Sequence, residues 1–279
     1  MTEPVFSIII PTYNRAHILS RAIDSVMAQT FNNFELIIVD DGSTDKTHEC
    51  VKNYHDQRIK YFVHDRNQGQ SQATNTGIDL AKGEYVSFIH SDDEWLPAML
   101  EKVYYVFQSD DEIACVYTLF GSRNKYGKLT PTKESNLEGY IYKEALAQGG
   151  ITLPTTLSVK KKCFEMIGKF DVHSTVCMDD DMCLRLARRF KFGLVKETLG
   201  IIHGDSGNRV SDNYTQLAND YYRLCLNFKE DIVKYCGYKT MAGHYFHAGI
   251  LFLNAKMMRM AKESFLSVLK TMLSFRTFV

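Results

Sequence analysis

Short apolar runs alternate with amphipathic segments along the first hundred residues of the chain. Four of these runs are predicted strands: 6–10, 34–39, 59–63 and 85–89. The first two are apolar enough to be buried parallel strands. Helical spacing of apolar residues predicts helices at 16–29, 44–52 and 70–81, and Pro97 is suited to open another. This alternation predicts an α/β fold with a doubly wound, mostly parallel sheet and helices on both faces.

The pattern becomes mixed in the middle of the chain. We expect a strand at 114–120, a polar hairpin or loop at 121–140, a helix at 178–190 and short strands at 192–202. After Asp212 the spacing of apolar residues predicts helices. The sequence therefore predicts one domain over 1–211, divided near residue 110, and a helical C-terminal extension over 212–279.

Composition narrows the class of protein. Hydrophobic residues make up 45% and charged residues 24% of the 279 positions, which is ordinary for a protein with a sizeable core. Lys plus Arg equal Asp plus Glu at 33 each, so no excess of positive charge favours a nucleic-acid partner. The seven cysteines form no Cys-x-x-Cys pair and are odd in number, which indicates free thiols in a reducing compartment.

Targeting signals also bear on location. The N-terminus lacks the basic start of a signal peptide, and the longest uncharged stretch, 240–255, is too short and too polar to span a bilayer. We therefore expect a cytoplasmic protein, either free or peripheral on the inner face of the membrane.

Polar clusters follow three of the predicted strands, at 12–14, 40–41 and 91–93. Right-handed crossovers bring the carboxyl ends of parallel strands to one edge of a sheet, where ligands bind in such folds. The three clusters are therefore predicted to converge on one binding edge.

Asp92 and Asp93 are candidate metal ligands. Paired carboxylates suit a hard divalent cation such as Mg²⁺ or Mn²⁺, which would bridge the two phosphates of a nucleotide diphosphate. The alternative is a solvated acidic turn that caps the next helix. Asp41 has a similar pair of interpretations, since it could accept from a nucleobase imide or from ribose, or belong to a turn with Gly42.

Other candidates stand at the ends of elements. Tyr13 could stack on a nucleobase or pack at the rim. Asp179 opens a predicted helix, where acidic residues are favoured by the helix dipole, but it could also serve as a general base. His203 and Arg209 could close over phosphates, or belong to an ordinary surface loop.

Taken together, these residues resemble the large family 2 of inverting nucleotide-sugar glycosyltransferases, which have a GT-A-type fold. A nearly continuous match covers residues 7–14, 25–31, 35–45, 67–69, 75–78, 81–85 and 91–97. A weaker match covers 179–186 and 203–211. The resemblance implies a nucleotide-binding half at 1–110 and an acceptor-binding half at 111–211.

The resemblance also implies roles for individual positions. Tyr13 and Asp41 correspond to the nucleobase pocket, usually for uridine, and Asp179 corresponds to the catalytic base. The signature that holds ribose and metal corresponds to 91–93, with Asp92 and Asp93 as ligands of Mn²⁺ or Mg²⁺. The residues expected at the donor are Pro11, Thr12, Tyr13, Asp41, Asn67, Gly69, Asn75, Ser91, Asp92, His203 and Arg209.

Two positions near the donor depart from the family pattern. His90 stands where the family commonly has aspartate, and it is a neutral metal ligand, a group behind the ligands or a rim residue. Thr74 stands where arginine is frequent, so the missing contact has to come from Arg15, Arg66 or the loop of Arg209.

The resemblance implies an inverting transfer of a hexosyl or N-acetylhexosaminyl group from a nucleotide-diphosphate sugar, in particular a UDP-sugar. The acceptor would be a hydroxyl of a saccharide or lipid-linked saccharide in bacterial surface polysaccharide synthesis. Met178 replaces a frequent glutamate and, with His90, supports the alternative of an inactive nucleotide-sugar-binding or scaffolding member. A nucleotidyltransferase is disfavoured because 11–15 is not a glycine-rich, basic phosphate-binding stretch.

The last predicted helix is amphipathic and basic. It carries one apolar stripe and four cations that lie mostly elsewhere: Lys256, Arg259, Lys262 and Lys270. Such a helix over 256–279 can lie on an anionic membrane, dock on its own catalytic domain or contact a second subunit in a homo-oligomer.

Overall fold

The structure of the chain is a computed structural model that describes residues 3–124, 126–132, 136–151, 155–203 and 213–276. The chain divides into two compact units. The first contains Met1–Tyr140, Leu153–Val172 and Arg189–Gly207. The second contains Ile141–Thr152, His173–Arg188 and Asn208–Val279.

A single sheet organises the first unit. Within the described residues its strands are β1 (Phe6–Thr12), β2 (Phe34–Asp40), β3 (Ile59–Val63), β4 (Tyr85–Phe88), β5 (Asp93–Trp95), β6 (Ile113–Arg123), β7 (Leu129–Pro131), β8 (Ser158–Lys160) and β9 (Lys191–His203). Their order is β3-β2-β1-β4-β8-β6-β9-β5, with β7 paired to β6 outside this path. The pairs among β3, β2, β1 and β4 are parallel, and β6 is parallel to β9. The predicted α/β fold is confirmed.

Helices of the first unit are α1 (Leu19–Met27), α2 (Thr47–Lys52), α3 (Gln70–Leu80), α4 (Met99–Ser109) and α6 (Lys162–Ile167). Every residue of β1, β2 and β4 is buried, as expected for strands that are covered on both faces. One core cluster of this unit joins β1 and β2 to α1 and α4 through residues such as Ile8, Ile23, Leu36 and Leu100. The buried strands hold the loops at their carboxyl ends.

The second unit is helical. Its helices are α5 (Tyr142–Gln148), α7 (Met178–Ala187), α8 (Tyr214–Asn227), α9 (Lys229–Cys236), α10 (Tyr238–Asn254) and α11 (Met258–Arg276). Ala218, Ala248 and Phe252 form a core between α8 and α10, to which Ala261 of α11 contributes. Gly249 permits a close approach of α10 to α11, because a Cβ there would lie 2.6 Å from the ring of Phe265. No helix in the described ranges combines the length and apolar character needed to cross a membrane.

Several elements differ from the predictions. The segment 192–202 belongs to one long strand, β9, because β6 supplies a continuous partner despite register shifts. The hairpin predicted within 121–140 is present in the described part of that segment, where β7 pairs with the end of β6. The strands β5 and β8 have three residues each, which is too few for a periodic pattern. The antiparallel β8 lies between β4 and β6, so the sheet is mixed beyond β4.

All seven cysteines lie in the described parts of the chain and are free thiols. The predicted boundary at residue 211 stays a prediction, and so does the assignment of two functional halves.

Candidate active site

The loops after β1 and β2 are joined by short backbone and side-chain hydrogen bonds. The Asp41 amide donates to the Thr12 carbonyl at 2.8 Å, which continues the β1–β2 register past the strands. Asn14 has a left-handed φ of +53° and accepts with its side-chain oxygen from the Thr44 amide at 2.8 Å. Asparagine tolerates this conformation because its short side chain bonds locally. Two of the predicted clusters therefore lie side by side.

The Asp41 carboxylate is buried and organises the next loop. It accepts from the amides of Gln68 at 2.9 Å and Gly69 at 2.7 Å, and it pairs with His64 Nδ1 at 2.7 Å. A carboxylate has about four acceptor positions, so three of them serve the protein itself. Asp41 thereby fixes the start of α3, and at most one position is left for a ligand.

Gly42 follows Asp41 in a conformation that requires glycine. Its φ is +75°, and an added Cβ would lie 2.7 Å from the carbonyl carbon of Arg66. The backbones of 42 and 66–67 therefore approach too closely for any side chain. This contact places Asn67, which is exposed, beside the Asp41 loop.

The residues predicted around the nucleobase differ in exposure. Tyr13 is 43% exposed, so its ring is available to a ligand. Pro11 is buried. Thr12 is 3% exposed, and its hydroxyl oxygen is buried without a hydrogen-bond partner within the described residues. An orphaned buried hydroxyl is uncommon and marks the position as one where a bound group can supply the partner.

Asn75 is bonded to the protein. Its side-chain nitrogen donates to the Phe170 carbonyl and its side-chain oxygen accepts from the Phe170 amide, each at 2.9 Å. The amide thus joins α3 to the segment that follows α6. Its predicted contact with the donor stays a prediction.

The segment after β4 carries the candidate metal ligands. His90, Asp92 and Asp93 each offer one ligand atom, and these atoms lie within 4.8 Å of one another. Nδ1 of His90 is 3.7 Å from Oδ2 of Asp93, which is itself only 3% exposed. Two carboxylates and an imidazole are donors that divalent metals accept, so these residues fit a cation. Ser91, also buried, lies between them.

Neighbouring elements hold this segment in place. The Arg21 guanidinium of α1 donates to the Asp92 carbonyl at 2.9 Å. Asp93 begins β5, which pairs with the end of β9 so that Asp93 faces Ile202 in the register. These candidate metal ligands are therefore fixed by a helix on one side and by a strand on the other.

His203 is engaged by an acidic partner that the sequence did not single out. Its Nε2 lies 2.8 Å from a carboxylate oxygen of Glu94, whose other oxygen is 3.7 Å from Arg123. Arg123 comes from β6, some eighty residues before His203, and no sequence pattern connects the two. Glu94 directly follows the Asp92–Asp93 pair, which is the one signal that could have identified it.

Asp179 belongs to the second unit, in the first turn of α7 with Asp180 and Asp181. Asp181 pairs with Arg185 one turn later at 2.7 Å, as expected for a stabilising helical ion pair. Asp180 packs against Gly150. Asp179 is half-buried. The predicted contact of Arg209 lies outside the described residues.

Comparisons with known proteins bear on the family and the fold of the chain. The sequence pattern of Glycosyl transferase family 2 matches residues 7–166, which is more than half of the chain. An uncharacterized glycosyltransferase of Methanocaldococcus jannaschii, MJ1057, is 29% identical over 82% of this chain and 81% of its own length. The Escherichia coli glucosyltransferase WfgD, named for transfer from UDP-Glc to GlcNAc-diphosphoundecaprenol, is 40% identical over 36% of this chain and 40% of its own length.

Several other relatives are much longer. An uncharacterized glycosyltransferase of Rickettsia conorii is 36% identical over 56% of this chain, but the match spans only 26% of that protein. The chain covers between 25% and 42% of the first five curated relatives that it matches.

Solved structures share the fold. Residues 1–349 of TarS from S. aureus, in complex with UDP-GlcNAc, superpose with a TM-score of 0.67 at 16% identity. The superposition covers 98% of this chain and 91% of that one, so the fold is of the GT-A type. Because the family pattern matches more than half of the chain, the chain belongs to glycosyltransferase family 2.

Proposed function

We propose that the chain is an inverting glycosyltransferase that uses a UDP-sugar and a saccharide or lipid-linked saccharide acceptor. The observation that carries this proposal is the cation-binding group of His90, Asp92 and Asp93 after β4, while the exposed ring of Tyr13 follows the adjacent strand β1. A diphosphate and a base are the two parts of a nucleotide sugar that such groups recognise. Complexes of TarS with UDP-GlcNAc and with UDP support the same donor class.

The donor would be held by residues of the first unit. Tyr13 stacks on the uracil ring, and the hydroxyl of Thr12 finds its missing hydrogen-bond partner in the bound nucleotide. Asp92 and Asp93 would hold a divalent cation. A divalent cation bound there would supply Lewis-acid stabilisation of the charge on the departing diphosphate.

The metal-binding residues favour Mn²⁺ over Mg²⁺. Mg²⁺ prefers oxygen ligands and retains much of its water, whereas an imidazole nitrogen such as that of His90 is a better ligand for transition metals. The substitution of the family's common aspartate by His90 therefore tunes the choice of cation in this proposal.

Asp179 would act as the general base. Its carboxylate takes the proton of the acceptor hydroxyl while that oxygen forms a bond to the anomeric carbon. The bond from the anomeric carbon to the diphosphate breaks at the same step, and UDP leaves with the electron pair. Attack opposite the leaving group inverts the anomeric centre, through a transition state that resembles an oxocarbenium ion.

We also propose a peripheral membrane contact through α10 and α11. Exposed apolar side chains form a line on each helix, with Phe246, Ile250 and Leu253 on α10 and Leu266, Leu269 and Leu273 on α11. Ala261 and Phe265, part of the apolar stripe predicted from the sequence, instead pack toward α10. We call the six exposed side chains on α10 and α11, without Ala261 and Phe265, the apolar face.

The charges around the apolar face favour anionic lipid as its occupant. From Lys256 to Lys270 the described part of the tail has four basic residues and one acidic residue, Glu263. Long basic side chains can keep their charges at lipid headgroups while leucines enter the acyl region. A lipid-linked acceptor, as in the name of WfgD, gives such a contact a purpose.

A panel of nucleotide sugars tests the enzyme assignment. Release of UDP from one UDP-sugar in the presence of Mn²⁺ and acceptor, abolished by EDTA, is the expected result. Asp179→Asn should keep UDP binding and lose transfer by about 10²-fold or more. Binding of UDP without any release from the panel would instead identify an inactive nucleotide-sugar-binding member.

A further inference from the structure

The loop that precedes the proposed base is held by one buried carboxylate on a C-terminal helix. Asp220 of α8 is 3% exposed. Its Oδ2 accepts from the backbone amides of Thr175 and Val176, each at 2.8 Å. The next residues, Cys177 and Met178, are the N-cap and first residue of α7.

Two neighbours on α8 complete this contact. Gln216 donates its side-chain amide to Oδ1 of Asp220 at 3.0 Å, and Arg223 donates to the same oxygen at 3.3 Å. Arg223 also donates to the carbonyl of His173 at 2.7 Å. We call Gln216, Asp220 and Arg223 the α8 clamp. The α8 clamp holds 173–176 through hydrogen bonds to one backbone carbonyl and two backbone amides.

The other side of the α7 N-terminus is also bounded by C-terminal helices. The hydroxyl of Tyr221 on α8 lies 2.8 Å from Nδ1 of His244 on α10, and a Cβ on Gly149 would approach that hydroxyl to 2.8 Å. The next glycine, Gly150, has a φ of +123°, and a Cβ there would lie 2.6 Å from Oδ1 of Asp180. Asp180, the neighbour of Asp179, therefore packs against the loop at Gly149 and Gly150. This loop in turn contacts Tyr221 of α8 and His244 of α10.

Burial makes the clamp stiff and costly to disturb. Four hydrogen bonds satisfy the acceptor positions of the Asp220 carboxylate, and hydrogen bonds to a charged group are stronger than neutral ones. A general base has to be held to within a fraction of an ångström of its working position. The preceding segment is exposed at His173 and Thr175, and the hydrogen bonds to Asp220 anchor it to α8.

We propose that Asp220 is a positioning residue for the general base, so that helix α8 supports the residue that accepts the proton. This inference rests on the proposed function, with Asp179 as the base. Asp220 acts by fixing 175–176 and, through them, the first turn of α7. It does not touch the substrate.

The test compares Asp220→Asn with Asp231→Asn. Asp231 is a carboxylate of the same unit that bonds Tyr142 and Arg188, at the opposite end of α7, and it serves as the matched control. Asp220→Asn should lower kcat by on the order of 10- to 100-fold, as a misplacement of about 1 Å does, without weakening UDP binding or raising the donor KM. Asp231→Asn should leave kcat near that of the wild type.

Two readouts separate positioning from a general loss of structure. In hydrogen–deuterium exchange, Asp220→Asn should speed exchange at 173–178 and leave the first unit unchanged. In a double-variant cycle, Asp179→Asn combined with Asp220→Asn should be no slower than Asp179→Asn alone, because Asp220 acts only through the base.

Each outcome bears on a distinct claim. A normal kcat in Asp220→Asn, or losses that multiply in the double variant, would overturn the positioning role while leaving the enzyme assignment intact. Normal turnover in Asp179→Asn would overturn both the base and the inference. If Asp220→Asn does not fold, Gln216→Met removes one bond of the clamp, and a smaller loss that disappears in the Asp179→Asn background is then expected.

Discussion

His64 and Asp41 form a buried pair, with Nδ1 of the imidazole 2.7 Å from Oδ1 of the carboxylate. Nε2 of the same ring lies 3.0 Å from the hydroxyl of Thr76 on α3. The pair therefore joins the end of β2 to α3 beneath the proposed nucleotide site. Disruption of this pair should first destabilise the loop at Gln68 and Gly69, because the amides of both residues donate to the same carboxylate.

Removal of the Asp41 carboxylate should destabilise this loop. Asp41→Ala leaves two partly buried amides and a buried imidazole without their acceptor, so we expect a loss of about 3 kcal/mol in the free energy of unfolding. Chemical denaturation measures it. Asp65→Ala, an exposed carboxylate next to His64, is the control and should change stability little. Equal stability of both variants would contradict the structural role of Asp41.

Gly42→Ala should separate the effect of steric contact from that of backbone conformation. Gly42 and Gly127 have φ of +75° and +78°, and of these two only Gly42 would place a Cβ against other atoms, at 2.7 Å. Both alanine variants incur a positive-φ penalty of about 1–2 kcal/mol. Gly42→Ala should lose markedly more in thermal denaturation, and it should also weaken UDP binding because Asn67 is displaced. Equal losses of stability in the two variants would show that the loop shifts to accommodate a methyl group.

His90 should control the choice of cation. His90→Ala should weaken Mn²⁺ binding by about tenfold or more, since one of three ligands is lost. His90→Asp should shift the preference toward Mg²⁺, because all three ligands are then oxygens. Calorimetric titration with each metal alone measures both effects. His55→Ala, an exposed histidine on the same unit, should bind as the wild type does. Unchanged Mn²⁺ affinity in His90→Ala would exclude it as a ligand.

Stability should fall as the medium is acidified, through His244. Burial lowers the pKa of this histidine below its ordinary value of 6.5, and the charge of His247 adds to the effect, while the hydrogen bond to the Leu146 carbonyl opposes it. Between these two pKa values His244 is protonated in the unfolded state and neutral in the folded state. The free energy of unfolding therefore decreases as the pH falls from about 6.5 through the lowered pKa.

Thermal denaturation between neutral and mildly acidic pH measures this dependence. His244→Gln should flatten it, whereas His17→Gln, at an exposed position, should retain the wild-type slope. The same slope in wild type and His244→Gln would mean that other groups cause the acid sensitivity.

The apolar face should bind anionic vesicles. Each leucine contributes about 2 kcal/mol when buried, so Leu266→Asp with Leu269→Asp should weaken binding to phosphatidylglycerol vesicles well over tenfold. Tyr105→Asp, which changes an exposed aromatic residue on α4, should bind as the wild type does. The contradicting outcome has two parts: the wild type does not bind vesicles, and it forms a dimer that the leucine substitutions dissociate. The apolar face would then be a contact with a second copy of the chain.

Sequence periodicity predicts the long, buried elements well. β1 and β2 lie where the apolar runs place them, and α3 ends one residue before its predicted limit. These elements are specified locally, because the order of apolar and polar residues within each segment matches its burial in the structure. By contrast β5 and β8 exist only because distant strands pair with them, and three residues carry no period.

The candidate site divides in the same way. Asp92 and Asp93 can be identified because they are adjacent in the chain, and Tyr13 because it ends a strand. The Glu94–His203 pair depends on the pairing of β5 with β9, and its neighbour Arg123 is brought there by β6. Contacts created by register between remote segments leave no local mark. The α8 clamp is another such case, since Asp220 and Thr175 are 45 positions apart.

The interleaving of the two units constrains how such proteins can exchange parts. The helical unit takes Ile141–Thr152 and His173–Arg188 from the middle of the chain as well as its C-terminal helices. Contacts such as Asp220 to Thr175, His244 to Leu146 and Asp231 to Tyr142 therefore link segments that a single crossover would draw from different parents. A chimera joined at residue 211 would inherit mismatched partners at each of them, so a functional graft has to transplant all three segments together.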